Sequence, residues 1–201
     1  MIEWALRVIQ QLGYPGIIFA MFLENVFPPI PSEVVLSFAG FLTTEGTFSL
    51  QGAVASATLG SVLGALALYG LGSVWGRERL YRFVGRYGPY LRVKQTDILK
   101  AEEWFSRYGS GAVFFGRMFP IVRSLISIPA GLSLMRMPVF VIYTAAGTVL
   151  WNLLLVTLGA ALGTAWAKVA TWADYYQLVM IIVLPLLLVG FFCTRRRRRP
   201  H

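Results

Sequence analysis

The chain has 201 residues, 57% of them hydrophobic and only 13% charged, with a mean hydropathy of +0.65. Soluble domains carry roughly 25% charged residues, so a water-soluble or disordered chain is excluded and an integral membrane protein remains. The formal charge of +9 collects at the borders of apolar segments, with eight basic residues between positions 77 and 107 and five at 195–199, the pattern of cytoplasmic anchoring and not of a nucleic-acid surface.

Residues 2–12 set Ile2, Ala5, Leu6, Ile9 and Leu12 on one helical face and Glu3, Arg7, Gln10 and Gln11 on the other. This predicts a short interfacial helix. No basic region precedes an apolar core, so a signal peptide is not expected. The apolar stretch 16–42 is interrupted by Glu24, Asn25, Pro28, Pro29, Pro31, Ser32 and Glu33. Prolines at that density cannot continue a helix. Each half falls short of the about 20 residues that cross a bilayer, so two half-helices in a re-entrant hairpin are expected.

Residues 50–75 suffice for a transmembrane helix, with Gly52, Ser56, Gly60 and Gly64 forming a small-residue stripe for close packing. Residues 77–108 are basic and aromatic and read as cytoplasmic amphipathic helices, the second capped by Thr96 or Asp97. The apolar run 109–134 contains Arg117, Pro120, Arg123 and Pro129 and predicts a second re-entrant hairpin. Arg136, just beyond it, marks the cytoplasmic interface. A full span is expected at 138–166, where Asn152 would donate an interhelical hydrogen bond. A last span is expected at 177–193, followed by a basic tail at 194–201 that sets topology and binds anionic lipid. With the basic segments inside, the first hairpin opens outward and the second inward.

The two halves resemble each other. Tyr14-Pro15-Gly16 and Tyr108-Gly109-Ser110-Gly111 each precede an apolar run with ionisable residues and prolines. Each run ends in Ala-Gly, at Ala39-Gly40 and Ala130-Gly131, and is followed by a span with a central Gly60 or Gly147. The predicted fold is an all-α integral membrane domain over 1–201, an inverted repeat of hairpin plus helix. Such repeats are common in transporters, whose site lies near mid-membrane.

Four ionisable residues fall in apolar surroundings: Glu24, Glu33, Arg117 and Arg123. Unpaired at the centre of a bilayer, they would together cost on the order of 10 kcal/mol. They should therefore face the interior or a wet cavity, and one another. Arginine offers a permanently charged fork suited to phosphate. A glutamate in such a site can take up and release a proton. The site suits an amphiphile with an anionic headgroup. Asn25 and Ser32 are candidates for capping a half-helix or donating to that headgroup. The single cysteine, Cys193, forms no intrachain disulfide, and the single histidine, His201, ends the chain. No His-dependent triad, metal site or other cofactor is expected, and a lipid phosphatase would lack its nucleophile and base. A passive phospholipid scramblase stays open, as does an assembly protein whose buried Glu–Arg pairs only hold the fold.

The segment Phe22-Leu23-Glu24-Asn25-Val26-Phe27-Pro28-Pro29-Ile30-Pro31-Ser32-Glu33 resembles the first signature of the DedA family (SNARE-associated or VTT-domain proteins) of bacterial membrane proteins. Phe115-Gly116-Arg117-Met118-Phe119-Pro120-Ile121-Val122-Arg123, running on to Pro129-Ala130-Gly131, is similar to the second. The resemblance implies facing re-entrant hairpins, dependence on the proton motive force, and translocation of undecaprenyl phosphate or a similar lipid across the bacterial cytoplasmic membrane. It makes Glu24 and Glu33 the essential acids and Arg117 and Arg123 the essential arginines. Pro28, Pro29, Pro31, Pro120, Pro129 and Gly131 would shape the hairpins around them. Membrane lipid and a polyprenyl phosphate are the implied partners, with a homo-oligomer left open. The second acidic position is an Asp after a longer loop in some members; here it is Glu33.

Overall fold

A computed structural model describes residues 2–26, 32–91 and 95–166. Pro28, Pro29 and Pro31, the span expected at 177–193 and the tail at 194–201 lie outside the described residues. Within them all regular structure is helical: α1 (Ile2–Leu12), α2 (Tyr14–Val26), α3 (Ser32–Thr44), α4 (Leu50–Leu91), α5 (Gln95–Gly116), α6 (Pro120–Leu125), α7 (Ser127–Leu132) and α8 (Met137–Leu162), closed by a 3-10 turn at Gly163–Trp166. Helix α1 buries Ala5 and Ile9 and exposes Trp4. It stops at Gly13, whose φ of 67° is left-handed and whose N–H bonds the Ile9 carbonyl at 2.9 Å.

Two helices are long and apolar enough to cross a membrane, Leu50–Gly76 and Met137–Trp166. By contrast α2 and α3 have 13 residues each, about 20 Å of helix against a hydrocarbon layer of about 30 Å. Helix α4 kinks at Gly76 (φ 64°, ψ 158°), a backbone conformation open to glycine. The kink divides the apolar segment from the basic one. Beyond it the helix passes through Gly88 and Pro89 to Leu91, and α5 begins at Gln95, ahead of both expected caps. The border drawn from composition at 108–109 falls inside α5, which continues through two glycines to Gly116. Phe105 and Val113 of α5 pack in one cluster with Tyr69, Ala130 and Phe140. That burial outweighs the helix penalty of about 1 kcal/mol per glycine.

Helix α2 packs along α4 and α3 along α8, whereas α5 packs along α8 and α7 along α4. The first arm of each half lies on its own long helix and the second arm on the other's. The match extends to single residues. Gly60 meets the Ile18 carbonyl as Gly147 meets that of Phe114, and Gly159 meets the Ser37 carbonyl as Gly72 meets that of Ile128. Gly40 lies against Val156 and Ala160 as Gly131 lies against Tyr69 and Ser73. Gly60 and Gly147, Gly72 and Gly159, Tyr69 and Val156, and Ser73 and Ala160 all stand at one constant separation along the chain. A Cβ at Gly40, Gly60, Gly72, Gly131 or Gly159 would overlap the facing backbone, which is why small residues line these crossings.

The buried faces of the two long helices change character halfway. On α4 they pass from Ala53, Val54 and Ala57 through Ser61 to Ala65 and Tyr69. On α8 they pass from Phe140 through Thr144, Thr148 and Asn152 to Leu155 and Val156. A polar layer therefore separates two apolar clusters.

Candidate functional site

The charged residues gather at this polar layer. Glu24 sits on the last turn of α2 and Glu33 on the first turn of α3. Arg117 follows the end of α5, in a turn where its N–H bonds the Val113 carbonyl at 3.2 Å. Arg123 lies in α6, which starts at Pro120 because the fixed φ of proline suits a first helical position. Arg123 Nη2 donates a short hydrogen bond to Glu24 Oε2, a buried ion pair that joins the two halves across 99 residues of sequence. Glu24 also feels the charges of Glu33 and Arg117, and Arg117 those of Arg123 and Glu24. All four side chains thus belong to one electrostatic cluster.

The partners are unequal. Arg117 is 2% exposed, donates from Nη2 to Ser127 Oγ at 2.9 Å and leaves Nε unbonded. Its stem lies against Gly147 of α8, where a Cβ would come within 2.9 Å. Glu33 is only half-buried, yet its Oε1 is buried without a hydrogen-bond partner. A buried charge that lacks full satisfaction is costly, so Arg117 and Glu33 are the two members of the cluster still able to accept a partner. Glu24, Arg117 and Arg123 are all nearly fully buried. Those three side chains therefore meet in a closed interior, one of the two settings expected from sequence, and Glu33 is the member that stays partly exposed.

The remaining candidates hold the frame. Asn25 does not cap a half-helix. Its Nδ2 donates to the Ser61 carbonyl of α4 at 2.8 Å, and its Oδ1 is unpartnered. Ser32 opens α3 and is buried. The Pro129 carbonyl accepts from Ser133 N at 3.0 Å, and Gly131 lets α7 touch α4. Asn152 Nδ2 donates to Thr58 Oγ1 of α4 at 3.2 Å, while its Oδ1 is unpartnered. Ser37 Oγ, Ser61 Oγ, Thr144 Oγ1, Thr148 Oγ1 and Trp151 Nε1 are also buried without hydrogen bonds. Nearly all buried polar groups in folded proteins are satisfied, so this concentration marks an interior built for polar company. Sequence reading missed Ser127 and the two threonines. The spacing of Thr144, Thr148 and Asn152, every fourth residue of an otherwise apolar helix, is the signal that finds them. Among the described residues, no three His, Cys, Asp or Glu side chains come together where a metal could be held.

Residues 30–161 match the VTT domain family. An alkaline phosphatase-like protein of Lactococcus lactis subsp. lactis (strain IL1403) is 48% identical over 188 residues, 93% of this chain and 88% of the relative. Undecaprenyl phosphate transporter A of Staphylococcus aureus (strain NCTC 8325 / PS 47) is 36% identical over 193 residues, 94% of this chain and 95% of the relative. The protein of the same name from Bacillus subtilis (strain 168) is 34% identical over 197 residues, 98% of this chain and 96% of the relative. No solved structure matches the chain.

Proposed function

The chain belongs to the VTT-domain (DedA) family of membrane proteins, and from that premise we propose that it is a transporter carrying undecaprenyl phosphate or a similar anionic lipid across the bacterial cytoplasmic membrane. The observation that carries this reading is the meeting of Glu24, Glu33, Arg117 and Arg123 from opposite halves, in which Arg117 bonds no carboxylate among the described residues. A lipid phosphate would take the Arg117 fork, and its second contact would be Arg123, released from Glu24. The carboxylates cannot donate to a phosphate oxygen while ionised, so Glu24 and Glu33 fit the role of proton carriers in a cycle driven by protons or by the membrane potential. The names of the Staphylococcus and Bacillus relatives support the lipid assignment.

On this reading α2 with α3, and the end of α5 with α6 and α7, are two re-entrant hairpins of opposite polarity, and the C-terminus is cytoplasmic. The closed charge cluster is then the occluded state, and opening either hairpin exposes it to one side. The test is reconstitution into liposomes with undecaprenyl phosphate and an imposed pH gradient. Movement that follows the gradient supports coupled transport, and movement indifferent to it assigns passive scrambling. The Lactococcus name raises a hydrolase. Release of inorganic phosphate from the lipid in the same liposomes would favour that alternative over transport.

A further inference from the structure

We propose that a second anion site, separate from the buried cluster, binds a phosphate monoester in the cleft between α5 and the turn joining α7 to α8. The cleft has a volume of about 350 Å³, within the size range of small-ligand pockets. Its polar wall is made by Ser106 and Ser110, one helical turn apart on α5, by Ser133 and by Arg136. Among the described residues, Arg136 is its only charged lining residue. The sequence marks Arg136 simply as an interface residue. The fold instead places it at the mouth of a cavity.

Two features prepare this cleft for an anion. Arg136 is the N-cap of α8, a helix of 26 residues, and no side chain caps that end. The first-turn amides of Met137 and Val139 are therefore open to an acceptor, where the helix field also favours negative charge. The turn itself is held in place. Leu134 N bonds the Gly131 carbonyl at 3.0 Å, Met135 N bonds that of Ala130 at 3.1 Å, and Tyr69 Oη of α4 donates to the Met135 carbonyl at 2.5 Å. Hydroxyls, guanidinium and free amides are all donors, which matches a group with several acceptor oxygens. The remainder of the lining includes Phe105, Leu134 and Met135, and Leu134 projects outward with 68% exposure. A polar wall beside an apolar rim suits a phosphate joined to an alkyl chain.

The anion chemistry stands without the transport reading, and only the lipid source of the phosphate rests on it. The test measures binding to the full chain in detergent with three probes: inorganic phosphate, dodecyl phosphate and dodecanol. The variants are Arg136→Gln and the triple Ser106→Ala/Ser110→Ala/Ser133→Ala. Exposed Arg136 can be replaced without burying a new polar group, and an unchanged thermal midpoint checks that each variant folds. Loss of a charge-assisted contact should weaken dodecyl phosphate about tenfold or more, with a smaller loss for the serine variant and no change for dodecanol. A matching effect on inorganic phosphate assigns free phosphate as a sufficient ligand, and an effect on dodecyl phosphate alone assigns the lipid headgroup. Unchanged binding of both phosphates in Arg136→Gln, or equal affinity for dodecanol and dodecyl phosphate, overturns the site. Liposome transport by the same variant separates the two readings. Normal phosphate binding and normal transport in Arg136→Gln sinks the cleft alone. Wild-type protein that binds phosphate at Arg136 and moves no lipid sinks transport alone.

Discussion

Neutralising the Glu24–Arg123 pair one side at a time separates a charge that holds the fold from one that does work. The side chains are 6% and 3% exposed respectively, so removing either leaves its partner without water and without its bonded counter-ion. Breaking such a pair costs about 3–5 kcal/mol, which lowers the folding equilibrium at least a hundredfold. The two single variants are not equivalent. Glu24→Gln leaves Arg123 and Arg117 facing Glu33 alone, and a guanidinium cannot shed its proton. Arg123→Gln leaves two carboxylates facing Arg117, and a carboxylate escapes its penalty by taking a proton. Glu24→Gln should therefore be the more damaging by about 1–2 kcal/mol, a fraction of the full cost of breaking the pair. The double variant Glu24→Gln/Arg123→Gln removes both charges and should return to within about 1–2 kcal/mol of the parent, while translocating no lipid. Denaturant unfolding in micelles, followed by tryptophan fluorescence, reads the stabilities, and the liposome assay reads flux. A double variant that moves lipid at the normal rate would falsify the working role of the pair. One no more stable than the single variants would refute the pairing itself.

The glycine crossings make a matched comparison: Gly40→Ala and Gly131→Ala should each cost about 1–3 kcal/mol through overpacking, by similar amounts. Gly70→Ala on α4, with open space around the new methyl, should instead stabilise by about 0.5–1 kcal/mol; micellar unfolding checks all three. Arg117→Lys retains the charge and loses the fork and its bond to Ser127, so folded protein should translocate lipid about tenfold more slowly. Normal flux in reconstituted vesicles contradicts recognition through that fork. Tyr69→Phe removes the hydrogen bond to the Met135 carbonyl and should lower stability by about 1 kcal/mol, seen as a shifted thermal midpoint.

The all-helical class and the two long apolar helices are readable from sequence because hydropathy and the lengths of uninterrupted runs are local properties. Glu24, Glu33, Arg117 and Arg123 stand out for the same reason: each is costly where it lies. Which acid meets which base is not local. Nothing near Arg123 in sequence points to Glu24 rather than Glu33, and the choice is made by α2 packing on α4 while α7 packs on the same helix. The preference of Arg117 for Ser127 is hidden likewise, because a serine near a proline reads as turn chemistry. The end of α5 is misjudged from composition because Gly109 and Gly111 look like a linker until the packing of Phe105 and Val113 is known. Ser37 and Ser61 are small enough to pass for helix-packing residues, and only the missing hydrogen bonds set them apart.

The doubled register of glycine crossings has a thermodynamic consequence. If the hairpins open as proposed, a backbone that repeats its seams would offer two similar ways of coming apart, one per half, and the energy gap between them would be left to the few side chains that break the likeness. Arg117, Arg123 and Glu24 are among those few. On the transport reading proposed above, a modest bias of a few kcal/mol, supplied by cargo, by one proton or by voltage, would suffice to exchange one form for the other.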